Sequence, residues 1–137
     1  MCSSDLGAPL NITTSQDRAL NGLPTQRVNQ ILADPYGDKS VKNFLNPAAF
    51  NLPVSGTFGN VGANSVRGPS TWQFDAAISR SFQLRETQRM EFRAEAFNVT
   101  NSFRMENPTT SIDSSLFGQV TAAKDPRIMQ FSLKYLF

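Results

Sequence analysis

The chain has 137 residues, of which 13 are basic and 11 acidic, giving a net charge of +2; only 18% are charged, against about 25% in average soluble domains. It contains no His, which removes the commonest general base and metal ligand, and its basic residues form no stripe suited to nucleic acid. A single Cys, Cys2, excludes a disulfide framework.

Residues 1–6, Met-Cys-Ser-Ser-Asp-Leu, resemble a sequencing-adapter fragment read through in frame. They are expected to be non-native and are set apart from fold reasoning. No secretory leader and no apolar run near the length of a membrane helix is visible. The expectation is either a cytosolic protein or a chain that has lost its beginning.

Composition shifts near residue 70. Of 16 Gly and Pro residues, 13 precede Ser70, whereas 10 of 14 aromatics follow it, so the first half reads as loop and the second as strand. Weak alternation at Leu10 and Ile12 makes 7–14 the expected end of an upstream strand. Residues 15–71 are punctuated throughout by Gly, Pro and Asn, with one short helix expected over 25–32 or 47–50. Otherwise they form one connection far longer than compact domains usually carry. Phe44, Phe50 and Phe58 imply that this loop packs on itself.

Three strands follow, each recognised by a period of two. Strand A, over 72–82, places Trp72, Phe74, Ala76, Ile78 and Phe82 on one face, with Arg80 as the exception, and Asp75 and Ser79 on the other. A short polar turn, 84–88, leads to strand B over 89–97. Its apolar face is Met90, Phe92, Ala94 and Ala96; its other face is Arg89, Glu91, Arg93 and Glu95. Parity flips at Phe97 and Val99, which predicts a bulge near Phe97 and Asn98. After a second long connection, 101–126, strand C over 127–137 aligns Met129, Phe131, Leu133, Tyr135 and Phe137, with Lys134 on the opposite parity. The chain thus stops on an aromatic residue.

Connections alternate long, short, long, and strands of about ten residues suffice to cross a hydrocarbon layer when tilted. The pattern predicts an all-β fold: antiparallel C-terminal strands of a transmembrane β-barrel. The apolar faces of A, B and C would meet lipid, while Asp75, Ser79, Glu91, Arg93, Glu95 and Lys134 would face the lumen. Charge segregation is then required, because Lys or Arg on the lipid face costs about 2–4 kcal/mol at the bilayer midplane and about 0–1 near its interfaces. Arg80 stands near a strand end, where snorkelling is cheap. Strand C would run from outside to periplasm, leaving 15–71 and 101–126 extracellular. Keeping the apolar faces together demands even sums of partner numbers between A and B, as in Ser79 with Arg93 and Ala77 with Glu95. It demands odd sums between B and C, bringing Lys134 near Glu91 or Glu95. A soluble β-rich binding module with one buried face remains the alternative, since alternation alone does not separate the two.

Sites for catalysis are not expected. Asp34-Pro-Tyr-Gly-Asp38 lacks the ligand spacing of an EF-hand loop. Glu91 and Glu95 alternate with Arg89 and Arg93, which favour their ionised form. No Ser–His–Asp triad is available, and 56–62 does not match a phosphate loop. Neither a cofactor nor a metal is expected.

The motifs Asn46-Pro-Ala-Ala-Phe50, Gly56-Thr-Phe-Gly-Asn60, Arg67-Gly-Pro69, Trp72-Gln-Phe-Asp75, Arg93-Ala-Glu-Ala-Phe-Asn98 with Asn101, Phe117-Gly118, and Pro126-Arg127 through Phe137 occur in an order that resembles the C-terminal end of TonB-dependent outer-membrane receptors. The similarity is greatest to Oar-like receptors with a carboxypeptidase-regulatory-like N-terminal domain, as in Acidobacteria. The resemblance implies the cell outer membrane of a Gram-negative bacterium and a large barrel filled by a plug. It implies as partners outer-membrane lipid, the barrel-assembly machinery, an extracellular ligand and, through a region absent here, the TonB complex. It also implies that Met129, Phe131, Leu133, Tyr135 and Phe137 form the assembly signal.

Overall fold

The computed structural model describes residues 1–137. In chain order its strands are β1 (Cys2–Asp5), β2 (Pro9–Leu10), β3 (Thr13–Thr14), β4 (Gln26–Arg27), β5 (Asn29–Gln30), β6 (Phe50–Asn51), β7 (Val66–Arg67), β8 (Thr71–Phe74), β9 (Ala76–Arg85), β10 (Gln88–Phe97) and β11 (Ile128–Leu136). The only helical element is a 3-10 turn, Pro47–Ala49. The fold is all-β, and the pairs β2–β7, β3–β4, β5–β6, β9–β10 and β10–β11 are antiparallel; one isolated bridge, Thr13 with Ser111, is parallel.

The chain forms two compact units. One comprises Met1–Ser4, Thr71–Arg104 and Lys124–Phe137; the other comprises Asp5–Ser70 and Met105–Ala123. The first holds the three long strands in the order β11-β10-β9, and a two-stranded pair of β1 with β8. The residues set apart as adapter-like therefore include a paired strand.

Strand A is divided by Asp75. Its half-buried carboxylate accepts from the Asn98 backbone N–H at 2.9 Å and from Gln73 Nε2 at 2.6 Å. Asn98 is fully buried and adopts φ 51°; its Oδ1 accepts from the Ser102 N–H and hydroxyl, each at 3.1 Å, and its Nδ2 donates to the Ser102 carbonyl. Asn tolerates the left-handed region better than other side chains. These bonds end β10 in a turn that closes with Asn101 at φ 49°. The parity flip after Ala96 marks this strand end rather than the bulge expected there.

The irregularity lies at the other end of the hairpin. Gln88 pairs with Arg85 but Arg89 pairs with Gln83, so Leu84 is left over. The turn itself is only Glu86 and Thr87, shorter than the expected 84–88 connection. Two-residue hairpin loops usually require positive φ, and neither residue has it. A one-residue slip accommodates the mismatch in twist.

The second unit has a core of its own. Ile12, Val28, Leu45 and Val66 are each 0–1% exposed, and Phe50 packs edge-on against Phe117 with ring centroids 5.6 Å apart. Three two-residue pairs frame it: β2 with β7, β3 with β4, and β5 with β6. Residues 7–14, expected to be the end of an upstream strand, supply Pro9–Leu10 and Thr13–Thr14 to two of these pairs. The helix considered over 25–32 is instead β4 and β5, because Val28 between them is drawn into the core and donor–acceptor pairing runs outward to Thr13–Thr14 and Phe50–Asn51. The alternative site, 47–50, does carry the helical turn, capped by Asn46 Oδ1 accepting from Ala48 N–H at 3.0 Å. Phe44 and Phe50 are buried as expected of a self-packed loop, whereas Phe58 is 76% exposed.

Gly118 closes this core. It has φ 76°, and a Cβ there would lie 2.5 Å from the Leu45 carbonyl oxygen. Its own carbonyl accepts from both Phe44 and Leu45 N–H, at 2.9 and 3.1 Å. Asp113 ties the two segments of this unit together: its carboxylate accepts from Ser15 N–H at 2.6 Å, the Thr14 hydroxyl at 2.9 Å, the Ser15 hydroxyl at 3.0 Å and Gln16 Nε2 at 3.1 Å. The Ser15 backbone bond, opposed by burial and reinforced by the Thr14, Ser15 and Gln16 side chains, holds its carboxyl below the ordinary aspartate value. A depressed folded pKa contributes stability above the ordinary value that is lost as pH falls through the folded one. Exchange protection of the Ser15 amide should therefore be flat at neutral pH and collapse only in acid below about pH 4, and Asp113→Asn should lower it already at neutral pH.

Candidate functional site

The long strands owe their shape to alternation, and pairing turns three one-dimensional patterns into a surface. The β9–β10 partners are Ile78 with Ala94, Arg80 with Phe92, and Phe82 with Met90; the β10–β11 partners are Ala96 with Met129, Ala94 with Phe131, Phe92 with Leu133, and Met90 with Tyr135. The expected apolar residues of β9, β10 and β11 thus form four rows across one face. Side chains directly opposite one another are the contacts that stabilise a sheet; Phe92 and Phe131, on adjacent rows, stack with centroids 6.5 Å apart and planes at 24°.

The opposite face has the rows Ser79–Arg93–Ser132, Ala77–Glu95–Gln130 and Ser81–Glu91–Lys134. The register matches the parity argument: Ser79 opposes Arg93, Ala77 opposes Glu95, and Lys134 opposes Glu91. Lys134 nonetheless makes no ion pair. The one salt bridge is within β10, where Arg93 Nε donates to Glu95 Oε1 at 2.8 Å. Half-exposed pairs of this kind contribute under about 1 kcal/mol. Asp75, assigned to the same face, instead directs its carboxylate to Asn98 and Gln73.

Nothing in the chain covers the apolar face. Ile78 is 71% exposed, Leu133 67% and Phe131 66%. Both outer edges, of β9 and β11, also lack a partner strand. Exposed apolar surface of this extent marks an interaction site, and unpaired backbone groups on both edges are templates for further strands. Arg80, the one charge on this face, lies in the middle of β9 (Ala76–Arg85) and not near a strand end as expected, because the strand runs three residues past Phe82. It packs over the Phe82 ring with its guanidinium carbon 5.2 Å from the centroid, an arrangement in which the ring face attracts the cation.

The model of a family described as outer membrane beta barrel domain matches residues 2–130. The chain belongs to the outer membrane beta barrel domain family. No curated protein and no solved structure matches it. Membership supplies the surroundings that the sheet lacks. In an outer-membrane barrel every strand edge is paired by closure, and the outward face meets hydrocarbon. A membrane-embedded barrel sheet, not a soluble module with one buried face, is therefore the setting of these strands. No helix is long and apolar enough to cross a membrane; barrels cross with strands.

Alternation did not reveal the clasp at the upper end of this barrel sheet. Arg104 donates to Gln73 and, through Nη2 at 2.7 Å, to the Asp125 carbonyl, while Arg127 N–H donates to Asn101 Oδ1 at 3.0 Å. These bonds fix where the 101–126 connection leaves β10 and rejoins β11. The signal was the cluster Asn98–Asn101, which marks tight turns.

Proposed function

We propose that the chain is the C-terminal part of a TonB-dependent outer-membrane transporter of the Oar-like type, from a Gram-negative bacterium. It contributes barrel wall, extracellular loop surface and an assembly signal to energised uptake of a ligand. The observation that carries this reading is the three-stranded barrel sheet itself: one continuous apolar face, charges on the other, and two edges that only further strands can satisfy in lipid. Within it, Ala76, Ile78, Phe82, Met90, Phe92, Ala94 and Ala96 meet lipid, joined by Trp72 and Phe74 of the separate strand β8, and Ser79, Glu91, Arg93, Glu95 and Lys134 line the lumen. The order of motifs along the chain supports the transporter type. The TonB complex would act through an N-terminal region outside this sequence, and no catalytic role is assigned to the chain.

The terminal strand has a second role in this reading. Met129, Phe131, Leu133, Tyr135 and Phe137 present an alternating apolar edge whose outer side has no partner, the geometry needed for capture by strand addition. Tyr135 and Phe137 lie together, with ring centroids 6.0 Å apart. Deleting Phe137 from a full-length receptor should lower its outer-membrane level severalfold, measured by fractionation, while receptors that do assemble bind ligand normally. Unchanged barrel levels would leave Phe137 as part of the aromatic girdle alone.

A further inference from the structure

Within the second unit a cavity of about 310 Å³ is lined by Tyr36, Lys39, Phe44, Arg67, Pro69 and Met105 among others, a volume at the lower end of the range for ligand pockets. Two cations and no carboxylate line it. Both cations are solvent-exposed, and neither is paired with an acid, since the chain's one salt bridge is Arg93 with Glu95. Asp38, the nearest acid in sequence to Lys39, instead accepts from Ser40 N–H at 3.0 Å.

Tyr36 meets the Lys39 ammonium and the Arg67 backbone. The Lys39 ammonium lies 4.8 Å from its ring centroid, and its hydroxyl accepts from the Arg67 backbone N–H at 2.9 Å. The ring meets Phe44 edge-on at 5.9 Å, giving the cavity an aromatic floor. The Arg67 guanidinium touches protein only through a long 3.4 Å contact from Nη1 to the Gly7 carbonyl, which leaves its other donors free for a ligand. Lys39 holds its position at φ 58°, a conformation that disfavours a side chain and that, where it persists, points toward function.

We propose that this cavity is a subsite for a small organic carboxylate. The acid group lies between Lys39 and Arg67, where charge-assisted hydrogen bonds are strongest, and the apolar body rests on Tyr36, Phe44 and Met105. The subsite deepens the uptake reading and rests on it for its biological purpose, though its chemistry stands on these residues alone.

The test uses the full 137-residue chain in nonionic detergent, titrated calorimetrically with benzoate and with its uncharged counterpart benzamide. Benzoate should bind saturably and benzamide about tenfold more weakly or worse. Lys39→Gly and Arg67→Gln should each weaken benzoate about tenfold, whereas Lys42→Gln, which removes a cation outside the cavity, should not. Lys39→Gly is the decisive variant, because it removes the charge while relieving the positive φ. It should lose binding with its melting temperature unchanged or raised, which a merely unfolded variant does not do. Equal affinity for benzoate and benzamide, absence of saturable benzoate binding, or binding indifferent to both substitutions overturns the subsite. Fractionation of cells expressing the receptor reads the other question separately: failure to reach the outer membrane sinks the transporter reading and leaves a charge-dependent benzoate site standing.

Discussion

Placing Arg at Ala94 should destabilise the membrane-inserted barrel by about 2–4 kcal/mol, whereas the same substitution at Ala77 should cost nothing measurable. Both are alanines in the long-stranded sheet, and their partners decide the difference. Ala94 lies in the middle strand between Ile78 and Phe131, on the apolar face and away from the strand ends. An Arg there lies one row from Arg80 and puts a second, like charge on the hydrocarbon-facing side. Ala77 opposes Glu95 on the charged face, where another guanidinium meets carboxylate and water. Denaturant midpoints of a full-length receptor in phospholipid vesicles, compared for the two variants, check this. Equal losses would mean that both faces of the sheet are wet, and the lipid-facing assignment would fail.

The second large effect belongs to the other unit. Leu45→Ala should cost about 2–5 kcal/mol, the range for truncating a buried aliphatic side chain without collapse of the cavity left behind. Leu45 is fully buried, and its backbone is held by the Gly118 carbonyl, so relaxation into the void is resisted. Exchange protection should fall together at amides that share the core, among them Val61, which donates to Val28 at 3.1 Å, and Leu45 itself. A loss confined to Leu45 would show that the unit opens piecemeal rather than as one cooperative core.

The two units differ in how much the sequence disclosed of them. Strand pairing in the sheet was legible from parity, because a one-residue error would turn every apolar side chain to the wrong face. Ser79 opposite Arg93 and Glu91 opposite Lys134 are among the registers that constraint allows, and pairing in three dimensions chose between Glu91 and Glu95 for Lys134. Ion pairing did not follow, since opposed side chains on a wet face are free to choose other partners, as Arg93 does with Glu95. The self-packing of residues 15–71 was visible in Phe44 and Phe50, but its framework was not. Two-residue strands such as Gln26–Arg27 are too short to show a period, and their pairing is set by contacts distant in sequence. The Asp113 junction, 98 residues from Ser15, has no local signature. The cavity between Lys39 and Arg67 was equally silent, for Tyr36 joins them only in three dimensions.

The leftover Leu84 has a consequence for how this hairpin can change. It acts as a half-step: it absorbs one residue without rotating the rest of β9. Insertions or deletions near Glu86 and Thr87 are therefore constrained in kind as well as in size. A change of two residues preserves the facing of every side chain upstream, whereas a change of one inverts Ile78 and Ser79 together unless a compensating slip is gained or lost. This short connection is thus the one with the strictest length grammar, whereas the far longer residues 101–126 are held at their ends by Arg104, Asn101 and Arg127 and between them by Asp113, Phe117 and Gly118 in the core of the second unit.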